Sequence, residues 1–117
     1  MKFALIGNCA YQALIDDCAR VVWLCWPRFD SSFVFGSLLD EQRGGEFSVG
    51  PVDEGFTSQQ AYIPNTNVLR TVFHSSSGSF EVVDFAPRFL QYERSFKPAM
   101  PIEPSQGAFR RTVSLAC

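Results

Sequence analysis

A chain of 117 residues with twelve acidic and ten basic side chains and a formal net charge of −2 is most simply one domain, long enough to bury a hydrophobic core. With no basic run to track a phosphate backbone, this balance gives no reason to expect a nucleic-acid partner or an anionic membrane surface. No apolar run approaches the roughly twenty residues that a membrane-spanning helix requires.

No charged segment followed by a long apolar stretch opens the chain, so no secretory leader is expected. The four cysteines, Cys9, Cys18, Cys25 and Cys117, form no CxxC pair, and His74 is the single histidine. No zinc site or other metal or cofactor is expected from that pattern. The cysteines read as small reduced hydrophobes in a cytoplasmic protein.

Phe3 to Ile6 is a short apolar run ended by the turn signal Gly7-Asn8. Tyr11 to Ile15 resumes it, and the polar Asp16-Asp17 breaks it again. Val21 to Cys25 is β-branched and aromatic, as a buried strand should be, and the three pieces together predict a meander. A rigid polar corner follows from Pro27 to Ser32. After it, a short helical run is expected to carry Phe33, Phe35, Leu38 and Leu39, with Gly44 or Gly45 as its C-terminal stop.

Glu46 to Val49 alternates as a strand does, Pro51 to Gln59 reads as a loop, and Gln60 to Ile63 is extended ahead of Pro64. Asn67 to Ser75 and Ser79 to Phe85, joined at Ser76-Ser77-Gly78, give the clearest hairpin. One face of its first strand carries Leu69, Thr71 and Phe73, the other Val68, Arg70, Val72 and His74. Phe89 to Tyr92 and Phe109 to Leu115 are the last strand candidates, with Pro98, Pro101 and Pro104 interrupting the chain between them. The fold class is all-β, an antiparallel β-sandwich with one short helical turn after the corner.

Candidate chemistry is sparse. Glycoside hydrolysis needs two carboxylates about 5–10 Å apart, one of them with a raised pKa. The adjacent pairs Asp16-Asp17 and Asp40-Glu41 lie in turns, where carboxylates are expected to be solvated. His74 sits mid-strand with no GxSxG elbow and no orienting third group in view. Gly44-Gly45 lacks the spacing and the following helix of a phosphate cradle. The corner offers Trp26, Arg28, Phe29 and Asp30: apolar faces to stack on and a charged fork to orient a sugar or a neighbouring domain. The same residues also fit a self-satisfied corner, with Arg28 bonding local carbonyls and Asp30 capping the following turn. Residue chemistry leaves both readings open and shows no active site.

Long stretches of the chain resemble one family. Ala4-Leu-Ile-Gly-Asn-Cys, Trp23-Leu-Cys-Trp-Pro-Arg-Phe-Asp-Ser-Ser-Phe-Val-Phe, Leu38-Leu-Asp, Gly45-Glu-Phe-Ser-Val, Tyr62-Ile-Pro-Asn-Thr-Asn-Val-Leu and Val83-Asp-Phe-Ala-Pro are similar to the N-terminal region of glycoside hydrolase family 15 proteins, the glucoamylase-like and trehalase-like enzymes. The resemblance runs from about Phe3 to about Ser114. It implies an N-terminal β-sandwich that packs on a larger catalytic (α/α)6 barrel, in cis or in trans. It also implies that both catalytic glutamates belong to the barrel, so no catalytic residue carries over to this chain.

The same resemblance makes Trp26, Arg28, Phe29 and Asp30 contact residues near the junction with the barrel and its sugar-binding mouth, where α-glucosides or trehalose would enter. Two departures stand out. The turn before Val21, usually bearing a glycine in such proteins, reads Asp17-Cys-Ala-Arg, and Met100-Pro-Ile-Glu-Pro replaces a strand typically rich in arginine. The leading expectation is one sandwich domain over 1–117, not an enzyme on its own, that supports a family-15-type barrel. The alternatives are a free-standing carbohydrate-binding protein, or a self-associating sandwich that forms homo-oligomers through surface the barrel would cover.

Overall fold

The computed structural model describes residues 2–88 and 110–116. Among them there is no helix, and nine strands form two antiparallel sheets. The first sheet holds β1 (Phe3–Gly7), β2 (Gln12–Asp16), β3 (Arg20–Cys25) and β4 (Phe33–Phe35) in chain order, and β5 (Phe47–Ser48) also pairs with β3. The second is a meander of β6 (Thr57–Tyr62), β7 (Leu69–Ser75), β8 (Gly78–Phe85) and β9 (Arg110–Ala116). Every strand pairing joins sequence neighbours apart from that of β3 with β5.

The inward faces follow the two-residue period of extended chain. Ala4, Ile6, Tyr11, Ala13, Ile15, Val21 and Leu24 of the first sheet bury together with Leu69 of the second. A second cluster joins Ala19, Phe73 and Val82. Between Leu14 and Ile15 the β2–β3 register slips, because Val22 is an extra residue on β3. Its carbonyl accepts the amide of Leu38 at 3.0 Å, which ties the loop after β4 back to the sheet.

The expected hairpin is present, Ser75 pairing with Gly78 across Ser76-Ser77, and Gly78 takes a φ of +147° that glycine supplies without steric cost. The expected split of faces holds as well: Leu69, Thr71 and Phe73 are buried, Arg70 and His74 exposed.

Two expectations change. Phe33–Phe35 is a strand, and no helix follows the corner. Asp40 N bonds Gly36 O at 3.3 Å and Gly44 N bonds Asp40 O at 2.8 Å, two successive hydrogen-bonded turns that do not propagate. Gly44 and Gly45 do end this segment: a Cβ on Gly44 would lie 2.2 Å from the Gly36 backbone, and Gly45 has a φ of +72°. The segment expected as a loop to Gln59 already pairs as β6 from Thr57, because Thr57 and Ser58 lie opposite His74 and Phe73 of β7. The strand expected over Phe89 to Tyr92 and the departure at Met100 to Pro104 lie outside the described residues.

Candidate functional site

The corner begins where β3 ends. A cis peptide joins Trp26 to Pro27, and the amide of Phe29 donates to the Ala10 carbonyl at 2.9 Å, so the corner is pinned to the β1–β2 turn. The Ser31 amide donates to Arg28 O at 3.1 Å, and the Arg28 amide to Ser31 Oγ at 3.3 Å, closing the turn locally.

The four expected site residues separate into two groups. Trp26 turns inward: its ring centroid lies 4.7 Å from that of buried Tyr11, and it packs on the main core cluster. Arg28, Phe29 and Asp30 are exposed. The Arg28 guanidinium meets the Asp30 carboxylate through two contacts, Nε to Oδ1 at 3.1 Å and Nη2 to Oδ2 at 3.2 Å, so the fork grips its neighbour rather than local carbonyls. Exposed on both sides, the pair is worth little to stability and stays available to a partner. Phe29, 60% exposed, leans over the β1–β2 end of the first sheet. It shares one cavity of about 400 Å3 with Cys9, Ala10 and Asn67, and an adjoining one of about 380 Å3 with Leu14, Trp23 and Cys25.

The carboxylates divide in a way that turn placement did not reveal. Asp40 is exposed and accepts the amides of Gln42 and Arg43, as a turn aspartate does. Asp16, expected in solvent, is fully buried. Its Oδ1 accepts the amides of Cys18 and Arg20 at 2.9 Å each, and its Oδ2 accepts Arg20 Nε at 2.7 Å. A carboxylate so engaged organises the β2–β3 turn. That hydrogen bond also raises the Arg20 pKa.

Asp16, Asp17 and Cys18 bring their ligand atoms within 4.8 Å of one another. Yet the Asp16 oxygens are already committed, and burial, followed by the charges of Asp16 and Asp17, raises the Cys18 pKa and disfavours the thiolate a metal would need. Among the described residues Cys9, Cys18 and Cys25 are free thiols. His74 stands exposed on β7, and among the described residues no hydrogen bond joins it to a serine or a carboxylate; Ser77 bonds Asp53 and Ser75 instead. What the corner can do chemically is stack and orient.

Sequence reasoning missed the apolar row beside the corner. Leu5 pairs with Leu14, Leu14 with Trp23, and Trp23 stacks on Phe33 with centroids 5.8 Å apart. The signal was there in Phe3-Ala-Leu-Ile and Ala13-Leu-Ile, which are apolar on both faces.

The trehalase-like N-terminal family matches residues 1–96. The chain belongs to that family. Among curated relatives, this trehalase-like chain is 50% identical over 82 residues to Trehalase 1 of Sulfolobus acidocaldarius, covering 70% of the chain and 14% of the relative. It is 36% identical over 90 residues to Trehalase 2 of the same organism, covering 77% and 15%. It is also 33% identical over 82 residues to the trehalase of Mycolicibacterium smegmatis, covering 70% and 12%. The trehalase-like chain thus spans about a seventh of the length of the curated relatives it matches. No solved structure is a significant match.

Proposed function

We propose that this chain is the non-catalytic N-terminal β-sandwich of a trehalase-type enzyme of glycoside hydrolase family 15, supporting the catalytic barrel and completing its substrate mouth. The observation that carries this reading is the family match over residues 1–96, set against relatives of which the matched segment is only about a seventh. The chemistry of the described residues agrees. The two fully buried aspartates, Asp16 and Asp84, are each held by an arginine, and neither is placed as a free general acid. On this reading Arg28, Phe29 and Asp30 are contact residues at the barrel or the sugar-binding mouth, and Trp26 fixes the corner from beneath. Three free thiols among the described residues favour a reducing, cytoplasmic setting.

Assay of the purified chain with trehalose and with maltooligosaccharides is expected to give no hydrolysis above a blank. Turnover that copurifies with the chain would remove the non-catalytic reading. The exposed Phe29 beside the Arg28–Asp30 pair favours a second reading, a free-standing carbohydrate-binding protein. Titration of trehalose and α-glucans followed by tryptophan fluorescence and heat decides it, and two flat traces reject it.

A further inference from the structure

The two sheets turn different outer faces to solvent. An antiparallel sheet with its other side on the core ordinarily alternates apolar-in and polar-out. The second sheet obeys: Gln59, Arg70, His74 and Glu81 point outward, and Arg70 pairs with Glu81 at 2.6 Å. The first sheet does not. Its outward positions run Leu5, Leu14 and Trp23 in register across three strands, Phe33 of β4 pairs with Cys25 and stacks on Trp23, Phe3 lies beside them and Phe29 folds over from the corner. Leu5 is 45% and Phe33 53% exposed. A continuous apolar face of this kind marks an interaction surface.

We propose that this outer face of the first sheet is the surface on which the remainder of a trehalase-type chain docks, through an apolar, uncharged patch of its own. The proposal rests on the reading of the chain as the N-terminal domain of such an enzyme. Three observations choose the occupant. Relatives extend over about seven times the length matched here, so a domain of this kind belongs with a much larger polypeptide able to cover one of its faces. The other outer face carries charges, and the β1 edge is already closed by Tyr62 and Asn67, whose side chains bond the backbone of Leu5 and Gly7. A saccharide is disfavoured because Gln12 and the indole N–H of Trp23 are the strong hydrogen-bonding side-chain groups that line the cavity, too few for a polyhydroxylated ligand.

The test grafts this chain's matched segment into Trehalase 1 of Sulfolobus acidocaldarius in place of its own. Leu5→Glu and Phe33→Glu are introduced there and in the isolated chain, with Gln59→Glu and Ala61→Glu on the second sheet as controls. An active graft is expected whose half-life against heating falls roughly tenfold or more with either face substitution, as a charge set against an apolar partner requires. The controls should leave that half-life alone, and the isolated chain should keep its unfolding midpoint under all four substitutions. An active graft with unchanged half-lives overturns the docking face and leaves the functional reading standing. A graft that hydrolyses no trehalose removes the reading and the proposal together. Two further results overturn the proposal: loss of folding in the isolated chain, which would make the face internal, and a dimer of the chain that either face substitution dissociates, which would make a second copy the occupant.

Discussion

Arg111 of β9 donates from Nε to Oδ1 of Asp84 at 2.6 Å and from Nη2 to Oδ2 at 3.0 Å, with the two side chains 4% and 0% exposed. The same guanidinium reaches across to the first sheet, bonding Ala19 O at 2.7 Å and Phe47 O at 3.2 Å while lying over the Phe47 ring. One side chain on the last described strand thus satisfies a buried carboxylate on β8 and two carbonyls of the opposite sheet.

Breaking that arrangement from one end leaves an uncompensated buried charge. Asp84→Asn is expected to lower unfolding free energy by about 3 kcal/mol. Arg111→Lys should not restore stability, because an ammonium cannot span both carboxylate oxygens and both carbonyls. Urea unfolding followed by tryptophan fluorescence checks this, and a midpoint shared with the wild type would contradict it.

Tyr11 carries the opposite kind of buried group. It is 1% exposed, and its hydroxyl has no hydrogen-bond partner among the described residues. Tyr11→Phe is therefore expected to stabilise the fold by about 1 kcal/mol, since it removes a polar atom that folding strips of water.

The same burial pushes the Tyr11 pKa up to about 12. Between pH 10 and about 12 the unfolded chain releases this proton and the folded chain keeps it. The unfolded state then binds fewer protons, so stability falls as pH rises through that window. Unfolding midpoints of the wild type and Tyr11→Phe, compared at pH 9 and pH 11, should diverge further at the higher pH; parallel behaviour would show that the phenol is not the titrating group.

The Asp16 turn is expected to be intolerant of neutralisation. Asp16→Ala leaves the amides of Cys18 and Arg20 without their acceptor and should cost about 3 kcal/mol. Glu46→Ala should cost less than about 1 kcal/mol, because its 3.4 Å contact with Arg20 is exposed. Thermal unfolding of both variants separates the two contacts, and equal losses would count against the buried carboxylate as the organising group.

Left-handed backbone at two non-glycine residues gives a paired test. Cys9 has a φ of 72° and is exposed, so Cys9→Gly should stabilise by about 1 kcal/mol through relief of that conformation alone. Ala19 has a φ of 55° in the turn where the family resemblance leads one to expect glycine. Its methyl is fully buried against Phe73 and Val82, so Ala19→Gly should be close to neutral, the lost packing of about 0.8 kcal/mol offsetting the relief. A stabilisation as large as that of Cys9→Gly would mean that the methyl packs poorly.

By itself the sequence made most strands, the β1–β3 meander and the β7–β8 hairpin legible, whereas Phe33–Phe35 read as a helical run and Thr57–Gln59 as loop. β-branched and aromatic runs alternate with a period of two, Asn8 marks a turn by accepting the Ala10 and Tyr11 amides, and Gly78 marks one by a φ that few other residues accept. These are local preferences, legible one segment at a time. It also carried the family, because long motifs such as Trp23 to Phe35 survive as unbroken strings.

Tertiary structure decided what depends on neighbours distant in sequence. Whether Asp16 faces water or Arg20 depends on the β2–β3 turn and on the second sheet that covers it, where Gln60 bonds the Asp16 carbonyl. Whether Trp26 displays its ring or buries it depends on Tyr11, fifteen positions earlier. The loop after the corner does not continue as a helix because the Leu38 amide bonds the Val22 carbonyl of β3, and the Gly36 and Ser37 amides bond the carbonyls of Gly44 and Gly45 at the loop's other end. The apolar face built by Leu5, Leu14, Trp23 and Phe33 exists only once β1, β2 and β3 pair and β4 lays Phe33 against Trp23, since each of those residues alone reads as ordinary core.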